Sequence, residues 1–288
     1  MKKIFGELNL TWPKIIVMAV IMGVYTAVMV MIPATINTSF SDLGVTFEVW
    51  ILFGILIIMN SKSAKESALK CFIFFLISQP LIYLIQDAVN HSNLFVTYYK
   101  YWFLWTIACV PMGFIGFYMK KDKWWGLLIL APILVLLYVS ISNYVSQTIF
   151  SFPRHLLSAI FSIGTTIMYP LVIFKNKKIR ITGLIISLLI VITACTLLVI
   201  KPPVYKTTIM TNGGKLNAHF DDTYRAYLSD PKYGTLSIVY DENLEDYTLV
   251  SGFRKAGKTE MVIESADGEK QVFNITIKRD TYKITKKD

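Results

Sequence analysis

Seven apolar runs separated by charged links constrain this chain more than any other feature: 15–34, 44–59, 68–85, 101–119, 124–142, 155–174 and 181–200. A helix rising 1.5 Å per residue needs about 20 apolar residues to cross a hydrocarbon layer of roughly 30 Å. Six runs meet that length comfortably. The run 44–59 is shorter and carries Glu48, but Phe47 and Trp50 lie at its outer end and a charged link follows, so it is counted as a span. With 54% hydrophobic residues, 17% charged and a mean hydropathy of +0.52, the chain is too apolar for two ordinary soluble domains. Residues 201–288 nevertheless read as soluble sequence. The fold class expected is therefore a membrane all-α bundle of seven transmembrane helices (1–200) followed by a small all-β domain (205–288).

Orientation follows from Lys and Arg, which collect in short cytoplasmic loops. With the N-terminus inside, the inner segments hold Lys2, Lys3, Lys14, Lys62, Lys65, Lys70, Lys120, Lys121, Lys123, Lys175, Lys177, Lys178 and Arg180, against Lys100 and Arg154 outside. Seven spans then place the C-terminal domain outside the cell membrane. The net charge of +10 is mostly this loop bias, because residues 201–288 hold nearly equal numbers of basic and acidic side chains. No basic stripe for nucleic acid is present. The first run is longer than a signal-peptide core and lacks a small-residue cleavage site, so it is expected to remain as a span. Cys71, Cys109 and Cys195 all fall in or beside apolar runs, leaving no disulfide framework for the exterior domain. That fits a bacterial surface.

Pro202-Pro203 ends the last run and makes 201–204 a short stiff spacer. Period-2 segments follow at 205–211, 235–240, 247–252, 259–265 and 271–278. In the last of these Phe273, Ile275 and Ile277 face one way while Asn274, Thr276 and Lys278 face the other. Asp267-Gly268 signals the turn between the final two strands. The stretch from Gly252 through Gly257 to Ile263, then Asp267-Gly268 and Phe273–Ile277, resembles the closing half of a bacterial immunoglobulin-like domain, over about 235–278. The resemblance implies an Ig-like sandwich that binds, spaces or supports.

No run carries an ionisable residue at its centre, which argues against a transporter with a midplane carboxylate. Polar groups gather instead at outer ends: Asp42 and Glu48 around the second run, Asp87 and His91 after the third, Arg154 and His155 before the sixth. Asp87 and His91, four apart, would share a face of a helix extended by one turn. A shallow outward pocket would gather Asp87, His91, Arg154 and His155, with Asp87 as base or ion-pair partner and Arg154 holding an anionic head group; the plainer alternative is interfacial pairing with lipid or water. Pro80, Pro111, Pro132 and Pro170 interrupt four consecutive runs, with Gln79 beside the first and Thr165-Thr166 near the last. Kinks there free carbonyls that line cavities. This makes Gln79, Pro80, Pro111, Thr165 and Thr166 candidates for a ligand cavity between the third, fourth and sixth helices. Gly113 and Gly116 are three apart, not the four of a helix-dimer face.

His219 with Asp221-Asp222 matches no zinc spacing, so no metal is expected, and the absence of nucleotide, dinucleotide and hydrolase motifs calls for no cofactor. Three functional readings remain open. The first is a non-enzymatic envelope protein whose exterior domain meets a partner. The second is a transport or substrate-capture component working with an energising partner. The third is an outer-face enzyme acting on lipid or wall precursors. The expected partners are the bilayer, a protein at the exterior domain, and further copies or other proteins in the membrane.

Overall fold

The computed structural model describes residues 4–91, 93–200, 204–242, 244–278 and 281–287. Lys2, Lys3 and the spacer prolines Pro202 and Pro203 lie outside them. The chain divides into two compact units, Met1–Tyr144 with Arg154–Thr196, and Val145–Pro153 with Leu197–Asp288.

The first unit is built from α1 (Trp12–Met31), α2 (Ser39–Val45), α3 (Phe47–Asn60), α4 (Ala64–Asn90), α5 (Leu94–Gly116), most of α6 (Trp125–Ser151), α7 (Leu156–Ile173) and most of α8 (Lys177–Ile200). Six of these helices are long and apolar enough to cross a membrane; α2 and α3 meet the same test only together, bent by 52° at their junction. The bounds differ from the apolar runs for local reasons. Helix α1 stops at Met31, not Ala34, because Ile32 precedes Pro33 and takes extended backbone (φ −76°, ψ 118°). Helix α4 continues past Ile85 to Asn90, since helical geometry does not stop where hydrophobicity does. Its start is dressed as a capping box: the Glu66 amide donates to Ser63 Oγ (3.2 Å) and Glu66 Oε2 accepts from the Lys62 amide (2.6 Å).

Helix α4 packs against both α1 and α5. The helices come close where side chains are small. A Cβ on Gly113 would stand 3.0 Å from Ala68 Cα and 3.1 Å from the Ser67 carbonyl oxygen, and Ser67 Oγ donates to the Gly113 carbonyl at 2.8 Å. Ile55, Ile57, Phe74, Leu130 and Tyr169 are fully buried, whereas Leu128, Val135 and Val139 of α6 and Ile185, Leu189 and Ile192 of α8 lie out on the surface. Apolar side chains outside as well as inside suit a lipid solvent and not water. The helices fit a multi-pass membrane protein.

The second unit holds β1 (Tyr205–Thr211), β2 (Arg225–Leu228), β3 (Gly234–Asp241), β4 (Asp246–Phe253), β5 (Gly257–Glu264), β6 (Lys270–Ile277) and β7 (Tyr282–Lys286). They form two antiparallel sheets, ordered β1-β4-β3 and β2-β5-β6-β7. Leu249 and Phe253 of one sheet share a core with Met261, Ile263, Phe273, Ile275 and Ile277 of the other. The alternation read for the last predicted strand is present: Phe273, Ile275 and Ile277 are buried and Asn274 is exposed. Gly268, at φ +85°, turns the chain between β5 and β6. Strands β2 and β7, four and five residues long, lie outside the segments read from alternation.

Candidate functional site

The break between α2 and α3 organises the helical unit. Thr46 adopts extended backbone (φ −93°, ψ 162°) and ends α2, its amide and hydroxyl both donating to the Asp42 carbonyl at 2.9 and 2.7 Å. The Gly44 carbonyl, left without a helical donor, accepts from Thr26 Oγ1 and from Trp50 Nε1, each at 3.0 Å. An interrupted helix at membrane depth must find such partners. One consequence is that the Trp50 indole is fixed.

Helix α2 is fastened to the start of α7 by polar contacts. Asp42 Oδ2 lies 2.6 Å from His155 Nδ1 and accepts from Ser158 Oγ at 3.0 Å. The Ser39 amide and Oγ donate to the Arg154 carbonyl (2.9 and 3.1 Å), while Ser39 Oγ accepts from the Ser158 amide (3.1 Å). His155 is fully buried, and Arg154 enters this junction through its backbone. Asp87 sits inside α4 with its carboxylate accepting from the Leu94 and Phe95 amides (2.7 and 2.9 Å), so it caps α5. His91 is exposed and ends α4 in left-handed geometry (φ 51°). The outer-end candidates are thus engaged in helix junctions: His155 with Asp42, and Asp87 with α5.

Glu48 is buried as well. It lies in the first turn of α3, only 1% exposed, where an acidic side chain suits the positive end of the helix. Its Oε2 and the hydroxyl of Tyr169 on α7 are buried without hydrogen-bond partners among the described residues.

Two cavities flank the break. The larger, about 730 Å³, is walled by α3 (Phe47, Trp50, Ile51, Gly54, Ile55, Ile58), α4 (Cys71, Phe75, Gln79), α5 and the turn after it (Trp102 to Met119) and α6 (Leu128 to Leu136). Its lips on α5 and α6, Trp105, Met112, Ile115 and Leu128, are at least half exposed, so it opens sideways between those helices. The smaller, about 220 Å³, is bounded by Thr26, Val30, Gly44, Val45, Ile82, Tyr83 and Gln86. Trp50, Gln79 and Trp102 line both. Among the described residues, no Asp, Glu, Lys, Arg or His lines either one.

Among the cavity candidates, Gln79 and Pro111 line the larger space, joined by Pro132 of α6. Pro80 is half-buried beside Gln79 and is not part of the wall. The walls come from α3, α4, α5 and α6. Helix α7 does not contribute: Thr165 and Thr166 are buried in it, each donating to carbonyls of its own helix, to Phe161 and Ser162 (2.9 and 3.1 Å) and to Ser162 (2.7 Å) respectively. Sequence reading missed α3 and α6 as walls; an apolar wall carries no signal within an apolar run, although Pro132 was a pointer.

In the β unit, the backbone of His219 exchanges hydrogen bonds with the Gln271 amide group (3.2 and 2.7 Å). Asp221 accepts from the Thr223 hydroxyl and amide, which hold its carboxyl below the ordinary carboxylate value. Among the described residues no three His, Cys, Asp or Glu side chains are grouped to hold a metal ion. No protein-family model matches this chain, and no curated protein or solved structure does either.

Proposed function

We propose that this chain is a membrane capture protein, whose seven-span bundle takes a single-chain amphiphile from the bilayer into the cavity between α3, α4, α5 and α6. The cavity carries the reading. Phe47 and Ile58 are eleven residues apart on α3, about 17 Å at helical rise. A volume of about 730 Å³ spread over that length gives a slot of roughly 40 Å² in section, wide enough for hydrocarbon to lie along it. Walls of this composition bury a chain without offering a catalytic group.

In this reading α2 and α3 form one broken second span, the N-terminus is cytoplasmic, and the β domain is an Ig-like module outside a bacterial cell membrane. The bias of basic residues supports the direction. The exterior module meets a protein partner, and any transport draws energy from another protein, because the sequence has no nucleotide-binding loop. Proteolysis of intact cells tests the orientation: cleavage after Lys255 without permeabilisation is expected, and protection of that site refutes it.

Capture is tested by photolabelling the full-length protein in lipid nanodiscs with a diazirine-bearing hexadecanol. Adducts should concentrate on α3, α5 and α6. Labelling of the outward-facing residues of α8 in equal proportion would refute capture, since a probe in bulk lipid reaches every exposed helix.

A further inference from the structure

The two cavities differ in chemistry, and of the three side chains that line both, Trp50, Gln79 and Trp102, one is an amide. The larger is apolar almost throughout. The smaller brings together Thr26, Gln79, Tyr83 and Gln86 beside the Gly44 carbonyl. Gln79 is 4% exposed and lines both, and among the described residues none receives a hydrogen bond from its amide. A buried amide with two donors and an acceptor is costly to leave unmet. Facing both spaces, it can be satisfied by a guest that spans them. Neither lining supplies an opposite charge, so an ionised head there would lose its hydration without compensation.

We infer that the captured amphiphile carries a polar but uncharged head, a hydroxyl, ester or amide group, which sits in the smaller cavity against Gln79 while its hydrocarbon chain fills the larger one. The inference rests on the capture reading above. Its direction is fixed by α4: the smaller cavity takes Gln79 to Gln86, toward the Asn90 end, and the larger takes Cys71 to Gln79. The proposed topology puts the Asn90 end outside. The guest therefore lies as a molecule of the outer leaflet does, with its head outward and its chain inward. About 220 Å³ for the head admits a glycerol-sized group and excludes a phospholipid head with two acyl chains behind it.

The test is competition against the photoactivatable hexadecanol on the full-length protein in nanodiscs, using three unlabelled molecules with one chain and different heads: hexadecanol, hexadecyl sulfate and hexadecyltrimethylammonium, all below micellar concentration. Hexadecanol should displace the label at a concentration roughly tenfold or more below either ion. In Gln79→Leu the label should still reach α5 and α6, but hexadecanol should need a roughly fivefold higher concentration to displace it, while the two ions stay weak because the lining still offers them no opposite charge. Gln86→Leu, on the far wall of the smaller cavity, gives a second reading if the first variant is poorly folded, and should weaken hexadecanol in the same direction. Equal competition by all three heads in the unaltered protein overturns the inference and leaves capture standing, as does hexadecanol competition that neither substitution weakens. Failure of the label to concentrate on the cavity walls removes capture and this inference together.

Discussion

Gly54→Leu separates a ligand cavity from a packing defect, because the two accounts predict different pairs of results. Gly54 lies in α3 on the wall of the larger cavity, and a Cβ built on it meets nothing within 4 Å. A leucine therefore enters open space. Replacing glycine in a helix interior gains about 1 kcal/mol of helix propensity. In lipid the filled space adds only dispersion, since hydrocarbon surroundings remove most of the hydrophobic term. The protein should be stabilised by about 1 kcal/mol, raising its melting temperature by roughly 2–4 °C. A bound chain must now share its slot with four extra carbons, and overpacking of that kind costs about 1–3 kcal/mol, a loss of roughly 5- to 150-fold in affinity. Thermal unfolding in nanodiscs and photolabelling by the diazirine hexadecanol read the two effects on one sample. Higher stability with unchanged labelling would mean that the space is incidental. Lower stability would show that the wall around Gly54 is closed and that the reasoning from its geometry is wrong.

Gly113→Ala should have the opposite sign. Its new methyl meets backbone atoms of α4 at 3.0 and 3.1 Å, which cannot swing aside, so a loss of about 1–3 kcal/mol is expected in the same thermal assay. Asp87→Ala removes the acceptor for two first-turn amides of α5; about 1 kcal/mol of stability should be lost and hydrogen exchange at Leu94 and Phe95 should accelerate. Asp42→Ala leaves the buried His155 and Ser158 without their shared acceptor and should cost roughly 2 kcal/mol, whereas Asp42→Asn, which keeps an acceptor oxygen, should cost less. A larger loss for the asparagine variant than for alanine would contradict the contacts described.

The helices and most of the strands were legible because their signals are local. Apolar runs locate helices, and alternation such as Phe273, Ile275 and Ile277 locates strands. The ends were less so. Asp87 was read as a residue following a helix, yet α4 runs through it, because the polar stretch after Ile85 keeps helical backbone at no cost outside the apolar layer. The break at Thr46 was also hidden. It depends on donors from Thr26 and Trp50 finding the Gly44 carbonyl, and the first of these is remote in sequence.

The site was legible only where it is polar. Gln79 and Pro111 stood out because an amide or an imino residue in an apolar run demands a reason. Thr165 and Thr166 drew attention on the same ground, but hydroxyls on a helix can bond their own preceding carbonyls, and these do, so they need no ligand. A glutamine amide cannot be dismissed so easily, since its two donors and acceptor exceed what a helix backbone has spare. The walls contributed by Ile51, Ile55, Ile129 and Ile133 are written in the same residues as any lipid-facing surface. Only the arrangement of α3 and α6 around Gln79 turns those surfaces into a cavity, which is why a cavity-lining amide whose donors no described residue meets is the better pointer to where a membrane bundle holds a guest.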